Sequence, residues 1–384
     1  MSDDGRDDDG PGSDAPEAGP SDGIRARRRT IPLWRQRRYQ IGAGVLAVLL
    51  VAGVASAIVL SGGDSPATTT SAKRTTTTRP GPTTTTAYSG PIAPLTGLPD
   101  IGGAAQGRPA MTVKIDNSLE EGPKRGVDQA DIVYEEVIES GYTRLAAIFH
   151  SQVPSDVGPI RSVRKTDQAL VRPIGGIFVY SGGAAYAEES IATAPVNRIN
   201  ETGAGDAMYR DDNRRGPWDL FGLGPDLFAL GGDPKPPPAL FSYRAVGRVV
   251  IGDAAARVVV GFESDSEVVW DWDARAGTWN RTYHGALETV ESGTQIAPKN
   301  VVIQFVRYDG GTGSVGAEGV VAGEGEAWVL TDGKVVKGRW SRPDPALPGQ
   351  LLDASGRPIL LTPGQTWVEL PDVDYEVTIT EARR

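Results

Sequence analysis

Hydrophobic and polar positions divide this chain into three unlike stretches. Residues 41–60, IGAGVLAVLLVAGVASAIVL, run twenty positions without a charge. At 1.5 Å per residue that is about 30 Å of helix, the thickness of a bilayer core. The run has no polar face, so it reads as a membrane helix. Before it, residues 1–24 carry eight acidic groups and one Arg with almost nothing apolar, the signature of a disordered tail. After it, residues 61–90 hold TTT and TTTT blocks with Pro, Gly and Ser, an extended linker and a candidate for O-glycosylation.

From Pro91 onward the pattern is that of a folded chain. MTVKIDN (111–117) alternates and ends in a turn, which predicts a strand. VDQADIVYEEVIES (127–140) places its apolar residues near helical spacing ahead of Gly141, which predicts a helix. TRLAAIFHSQ (143–152) reads as a strand, IRSVRKTDQALVRP (160–173) as a helix stopped by Pro173, and GGIFVYSGG (175–183) as a strand. Residues 195–232 read as loops with a short helix around 224–230. DPKPPP (233–238) is a stiff connection and a plausible boundary. Beyond it, Val- and Trp-rich runs alternate with Gly and Asp, and Asp332-Gly333 between two such runs predicts a hairpin. The expected fold class is α+β: an N-terminal α/β subdomain (91–232) and a mostly antiparallel β C-terminal subdomain (239–384), preceded by one transmembrane helix.

Charge sets the orientation of that helix. Arg25, Arg27, Arg28, Arg29, Arg35, Arg37 and Arg38 precede it, and few cations follow closely. The positive-inside rule then puts residues 1–40 in the cytoplasm and the bulk of the chain outside. An Ala55-Ser56-Ala57 pattern resembles a signal-peptidase site. It lies inside a run longer than a signal core and behind a long extension, so an uncleaved anchor is favoured. Residues 1–88 hold nine of the chain's 49 acidic groups and eleven of its 39 basic ones, leaving a net −12 outside. That balance argues against nucleic acid as a partner. There is no Cys, hence no disulfide, thiolate metal site or lipid-accepting thiol.

Catalytic signatures are sparse. There is no phosphate loop, nucleophile elbow, HExxH or calcium loop. Ser162-Val163-Arg164-Lys165 spells SxxK, a two-position motif that arises often by chance and here lacks its partner motifs. His150 and His284 are the only histidines and read as structural; no metal and no cofactor is expected. Trp270, Trp272, Trp279, Trp328, Trp340 and Trp367 crowd the C-terminal part, more often as core than as sugar-stacking surface.

The most suggestive constellation is polar. Asp116 and Asn117 end the first strand, where α/β proteins place ligand groups. Asp131, Tyr134, Glu135 and Glu136 are expected on the helix after it. Arg161 and Arg164 fall three apart on the next expected helix, able to fork onto a carboxylate or phosphate. Tyr209, Arg210 and Asp211 follow in a loop. These residues read either as a ligand-binding cleft or as internal ion pairs.

APLTGLP (93–99), RPAMTVKIDN (108–117), QADIVYE (129–135), TRLAAIFHSQ (143–152), GPIRSVR (158–164), YRDD (209–212), KNVVIQF (299–305) and PGQTWVEL (363–370) together resemble the YerB-like bacterial lipoproteins. The resemblance spans nearly all of 91–384 and implies a two-part extracytoplasmic protein with no assigned catalytic residues. The helix at 41–60 takes the place of a lipidated Cys. The function expected is binding of a cell-wall fragment or an envelope protein by a membrane-anchored, non-enzymatic protein. The alternatives are a hydrolase or transferase using Glu135, Asp116 or Asp131 on wall polymer, and a scaffold with no small-molecule ligand.

Overall fold

The computed structural model describes residues 88–118, 122–231, 233–262, 267–312 and 314–381. The expected cytoplasmic tail, the apolar run at 41–60 and residues 61–87 of the linker lie outside the described residues. Among the described residues no helix is long and apolar enough to cross a membrane.

The N-terminal half contributes β1 (Met111–Asp116), β2 (Ile132–Val137), β3 (Thr143–Phe149), β4 (Ile177–Val179), β5 (Asn197–Ile199), β6 (Met208–Arg210) and β7 (Leu220–Gly222). Its helices are short: α1 (Lys165–Val171), α2 (Ala185–Ile191), α3 (Glu201–Ala204) and α4 (Gly224–Ala229). The C-terminal half contributes β8 (Asp253–Ala254), β9 (Arg257–Gly261), β10 (Glu267–Asp273), β11 (Thr278–Tyr283), β12 (Ala286–Leu287), β13 (Asn300–Gln304), β14 (Tyr308–Asp309) and β15 (Glu318–Gly319). It ends with β16 (Gly323–Thr331), β17 (Lys334–Arg342), β18 (Gln350–Asp353), β19 (Thr366–Leu370) and β20 (Val377–Thr380). The fold is mostly β with few helices, leaner in helix than the α/β expectation.

Two expected helices are corrected. Over 127–140 there is one 3-10 turn at Val127–Gln129 and then β2. Five of its six residues are buried, and the sixth is partly so. A central strand covered on both faces needs no alternation, and the Ile132-Val133 and Val137-Ile138 pairs on either side of Tyr134, Glu135 and Glu136 imitate a helix stripe. Asp131, Tyr134, Glu135 and Glu136 therefore do not lie on a helix. Over 160–173 only Lys165–Val171 is helical. Segment 158–163 is extended, with Ile160 bridged to Ile115. Arg161 lies in that extended stretch and Arg164 is the helix N-cap, so the two do not share a helical face.

Strands of both halves build one eleven-stranded sheet, ordered β18-β17-β16-β13-β19-β2-β3-β1-β4-β5 with β8 against β17. The join is β19 beside β2, in parallel register from Thr366↔Ile132 to Leu370↔Glu136. The predicted hairpin forms: β16 and β17 pair across Asp332 (φ +54°) and Gly333 (φ +66°), the conformation a tight two-residue turn requires.

Register fixes what each face carries. Lys114 and Asp116 of β1, Arg144 of β3, and Tyr134 and Glu136 of β2 share one face. Over β4 that face is covered by α1 and α2, through a small core of Val163, Val171, Phe178, Ala187 and Ile191. Val113, Ile115, Glu135, Trp367 and Glu369 share the other face. There a five-stranded antiparallel sheet, β12-β11-β10-β9-β20, packs with Trp270 edge-on to Trp367, ring centroids 5.5 Å apart.

Candidate functional site

Beyond Val179, where β4 leaves the sheet, segment 159–163 takes its place beside β1. The Asp116 N–H donates to Pro159 O (3.0 Å) and the Arg161 N–H to Lys114 O (2.9 Å). On its other edge the same segment is held by the loop after β4: Ser181 N–H donates to Arg161 O and Val163 N–H to Gly182 O, both at 3.0 Å. Gly183 permits this approach, because a Cβ there would lie 2.5 Å from Val163 Cγ1.

This construction opens a polar cleft of about 370 Å³ at the C-terminal ends of β1 and β4. Arg161, Arg164, Arg210, Glu139, Glu201, Ser162, Ser181 and Tyr186 are among its lining residues. Arg164 is held by Glu139, Nη2 to Oε2 at 2.7 Å, and its Nη1 donates to Val163 O. Arg210 forks onto Glu201 (3.0 and 2.8 Å) and reaches Asp219 (2.6 Å). Arg161 differs. Its Nε donates to Asp116 Oδ2 (2.5 Å), and its two Nη groups make no hydrogen bond among the described residues.

Arg144 sits behind Arg161, almost fully buried, with Asp116 Oδ2 3.8 Å from Nη2. Burial, then the charges of Arg164 and Arg161, push it down to about 10 despite Asp116. Burial works against ionisation of Asp116. Arg144, the Ser118 hydrogen bonds and Arg161 outweigh it and hold the carboxyl below the usual range. Arg161 and Arg164 thus stand on one side of the cleft with Arg144 behind them, and Asp116 and Glu139 are set among the three guanidiniums. Under that side Lys114, fully buried, pairs with Glu136 and with Asp167 (2.8 Å). Burial, then the neighbouring Glu136 charge, raises Asp167 against the pull of Lys114.

The remaining sequence candidates go elsewhere. Glu135 and Asn117 point between the two sheets. Glu135 Oε1 accepts from Asn117 Nδ2 (2.9 Å) and Thr143 Oγ1 (2.8 Å), and Oε2 from Arg281 Nη2 (2.7 Å) and Trp367 Nε1 (3.2 Å). Tyr134 shares the face of Glu136 but lines a separate cavity of about 50 Å³ with Trp340 and Arg342. Tyr209 and Asp211 belong to a cluster around Arg125, whose Nη1 donates to the Tyr209 hydroxyl (3.1 Å) and Nη2 to Asp211 Oδ2 (2.6 Å). Asp131, at the far end of β2, accepts from Ser151 N–H and hydroxyl, and burial raises it to about 6. His150 lies with Nε2 3.2 Å from Arg108 O in a buried setting. Among the described residues no three His, Asp or Glu side chains are placed to hold a metal ion.

The structure therefore brings Asp116, Arg161, Arg164 and Arg210 together and separates Glu135, Asn117, Tyr134, Tyr209 and Asp211 from them. Glu139, Ser181, Tyr186 and Glu201 line the cleft and Arg144 lies behind it, and sequence reasoning misses all five as candidates. A lone Arg inside the apolar run of β3 is the available signal, since a charge there must find a buried partner.

Fold and site define a two-part, mostly β protein whose halves share a sheet and whose N-terminal half carries a polar cleft. The chain belongs to the YerB-like family. Residues 95–230 match the N-terminal domain, and residues 258–368 the C-terminal domain, of the protein of unknown function DUF3048. The two matches fall on either side of the proline-rich 233–238. The chain is 27% identical over 301 residues to YerB of Bacillus subtilis (strain 168), a protein named as a lipoprotein, covering 73% of this chain and 87% of that one. Its fold is similar to the crystal structure of the Bacillus subtilis YerB protein, with a TM-score of 0.64, 23% identity, and coverage of 75% of this chain and 99% of the other.

Proposed function

We propose that this is a membrane-tethered extracytoplasmic protein whose cleft binds an anionic fragment of cell-wall polymer without transforming it. One observation carries the reading. Arg161 is fixed through Nε by Asp116, while neither Nη group finds a partner among the described residues at a cleft wall. A guanidinium held from behind presents a preorganised fork for a carboxylate or phosphate. The Ser162 and Ser181 hydroxyls, 3.5 Å apart, add neutral donors suited to a hydroxyl-rich chain. The uncharged run at 41–60 and the lipoprotein name of the Bacillus subtilis relative favour the envelope as the location.

Of the three carboxylates the hydrolase alternative would use, Asp131, raised to about 6 by burial, lies away from the cleft and is bound by Ser151. Glu135 is fully buried and hydrogen-bonded on both oxygens. Asp116 is held ionised by its arginines, the reverse of a general acid. The scaffold alternative predicts a smooth surface at Arg161, and the cleft speaks against it.

The test is co-sedimentation of the full chain, in mild detergent, with purified sacculi, beside Arg161→Ala. Loss of a charged hydrogen bond of about 1.5–3 kcal/mol should weaken binding on the order of tenfold or more. If wild type does not sediment, the wall is not the ligand and an envelope protein takes its place. If Arg161→Ala sediments like wild type, the cleft is not the site.

A further inference from the structure

Away from the cleft, the loop between Arg244 and Asp253 exposes aliphatic side chains almost completely: Val246 95%, Val249 85% and Ile251 91%. Single exposed aliphatics are ordinary; three within six residues, at these values, mark a contact surface. The loop is rigidly framed. Arg244 N–H donates to Leu361 O (2.9 Å), its Nη1 to Arg248 O (2.7 Å) and its Nη2 to Thr362 Oγ1 (2.6 Å). At the far end Asp253 and Ala254 pair with Val335 and Lys334. The loop's two ends are thus anchored while Val246, Val249 and Ile251 between them stay exposed.

The frame also adjoins the point where the chain enters the domain. The Tyr243 hydroxyl donates to Leu95 O (2.5 Å), tying the loop to the turn at 92–101. That turn exposes Ile92, Leu98 and, at 85%, Ile101, and it accepts the Tyr88 hydroxyl at Asp100 O (3.3 Å). From Leu240 to Gly252 the chain itself carries only Arg244 and Arg248; Arg244 is met by Asp332 at 3.3 Å and Asp253 follows in β8.

We infer that this surface, centred on Val246, Val249 and Ile251 with Arg248 between them, rests on the lipid bilayer to which the chain is tethered. The inference depends on residues 41–60 being an anchor. Twenty-seven residues, 61–87, then separate the bilayer from Tyr88. Such a tether holds the domain at an effective concentration in the millimolar range. A few aliphatics and one cation are too little to hold a free protein on a membrane, but enough to orient a tethered one. The wall-binding cleft is then carried at a fixed orientation to the membrane rather than tumbling.

The absence of Cys makes the test direct. Val249→Cys in the full chain carries a polarity-sensitive fluorophore, with Leu287→Cys as the comparison site on the second sheet, also exposed at 64%. Both are reconstituted into phosphatidylcholine–phosphatidylglycerol vesicles containing nitroxide lipids. An alkaline wash first reports whether the chain stays in the bilayer. The expected result is retention, a blue shift at position 249, and quenching there several-fold stronger than at 287. Retention with equal, aqueous behaviour at both positions overturns the membrane contact and leaves the anchor standing. Release by the wash overturns the anchor and the inference with it. A blue shift that persists in detergent and fades on dilution assigns the surface to a second copy of the chain instead, which also overturns it.

Discussion

Glu135 and Glu136 are consecutive on β2 and serve opposite faces of the sheet. Glu135 binds Arg281 of β11 at 2.7 Å between the two sheets, and Glu136 pairs with Lys114 beneath the cleft. The first contact joins the N-terminal half to the C-terminal half through a fully buried ion pair. The guanidinium of Arg281 also lies against the Tyr283 and Trp367 rings, at 4.7 and 4.8 Å from their centroids, and salt-bridges Glu288.

Arg281→Met should consequently destabilise the whole described fold, by about 3–5 kcal/mol, because it strands the Glu135 carboxylate out of water. Chemical denaturation read by Trp fluorescence measures it, with a single transition for both halves. A loss under about 1 kcal/mol, or two separate transitions, would show that the pair does not couple them.

Glu369 lies in the same inter-sheet layer, accepting from Trp270 Nε1 at 2.8 Å. Burial first, and then the Glu135 charge, raise its carboxyl well above the ordinary 4.5. Between 4.5 and that raised value the native chain keeps a proton that the unfolded chain has released. Stability from this group is therefore complete below the unfolded value and is lost as pH rises across the window. Glu369→Gln supplies the neutral form at every pH. Denaturation curves of the variant and the wild type should coincide near pH 4 and diverge in favour of the variant as pH rises. Parallel pH dependences would refute the assignment.

The expected strands at 111–117, 143–152 and 175–183, and the hairpin at Asp332-Gly333, all form: alternation marks the first, a short apolar run between polar residues the second, a β-rich run between glycine pairs the third, and turn chemistry the hairpin. β2 escapes a local reading for a physical reason. Both its faces are buried and carry polar and apolar side chains alike, so the polar-apolar alternation that marks a strand is missing, and only its long-range edge pairing with β3 and β19 reveals it. Taking β2 for a helix also groups Asp116 and Glu135 in one site, when a period of two sends Glu135 to the opposite face from Glu136 and Asp116. Arg161 and Arg164 do reach one cleft, but through an extended segment clamped between β1 and the loop after β4. That arrangement depends on contacts with residues 114–116 and 181–182, invisible to any local window.

The turn at Asp332-Gly333 offers a check on the C-terminal half alone. Gly333 holds φ +66°, and a Cβ there would lie 2.6 Å from Trp272 Nε1. Gly333→Ala combines left-handed strain with a steric clash and should cost about 1–3 kcal/mol. Asp332→Gly removes a positive-φ strain and an exposed ion pair to Arg244 and should change stability by less than about 1 kcal/mol. Equal costs for the two variants would mean that the turn tolerates a side chain at its second position.

At the cleft, the decisive substitution keeps the charge and changes its shape. Arg161→Lys preserves a cation beside Asp116, so the fold and the local field should survive. Lysine offers one ammonium in place of a planar fork whose Nε is occupied behind and whose Nη pair has no partner among the described residues in front. If recognition is bidentate, sacculus binding should fall about tenfold, close to the loss for Arg161→Ala. If Arg161→Lys binds like the wild type, only net charge matters at this wall, and Arg144 and Arg164 supply the attraction equally well. Titration of the bound fraction against salt separates the two cases. A fork-dependent site keeps the gap between the wild type and Arg161→Lys as salt rises, because a directional hydrogen-bond pair is screened less than a diffuse field.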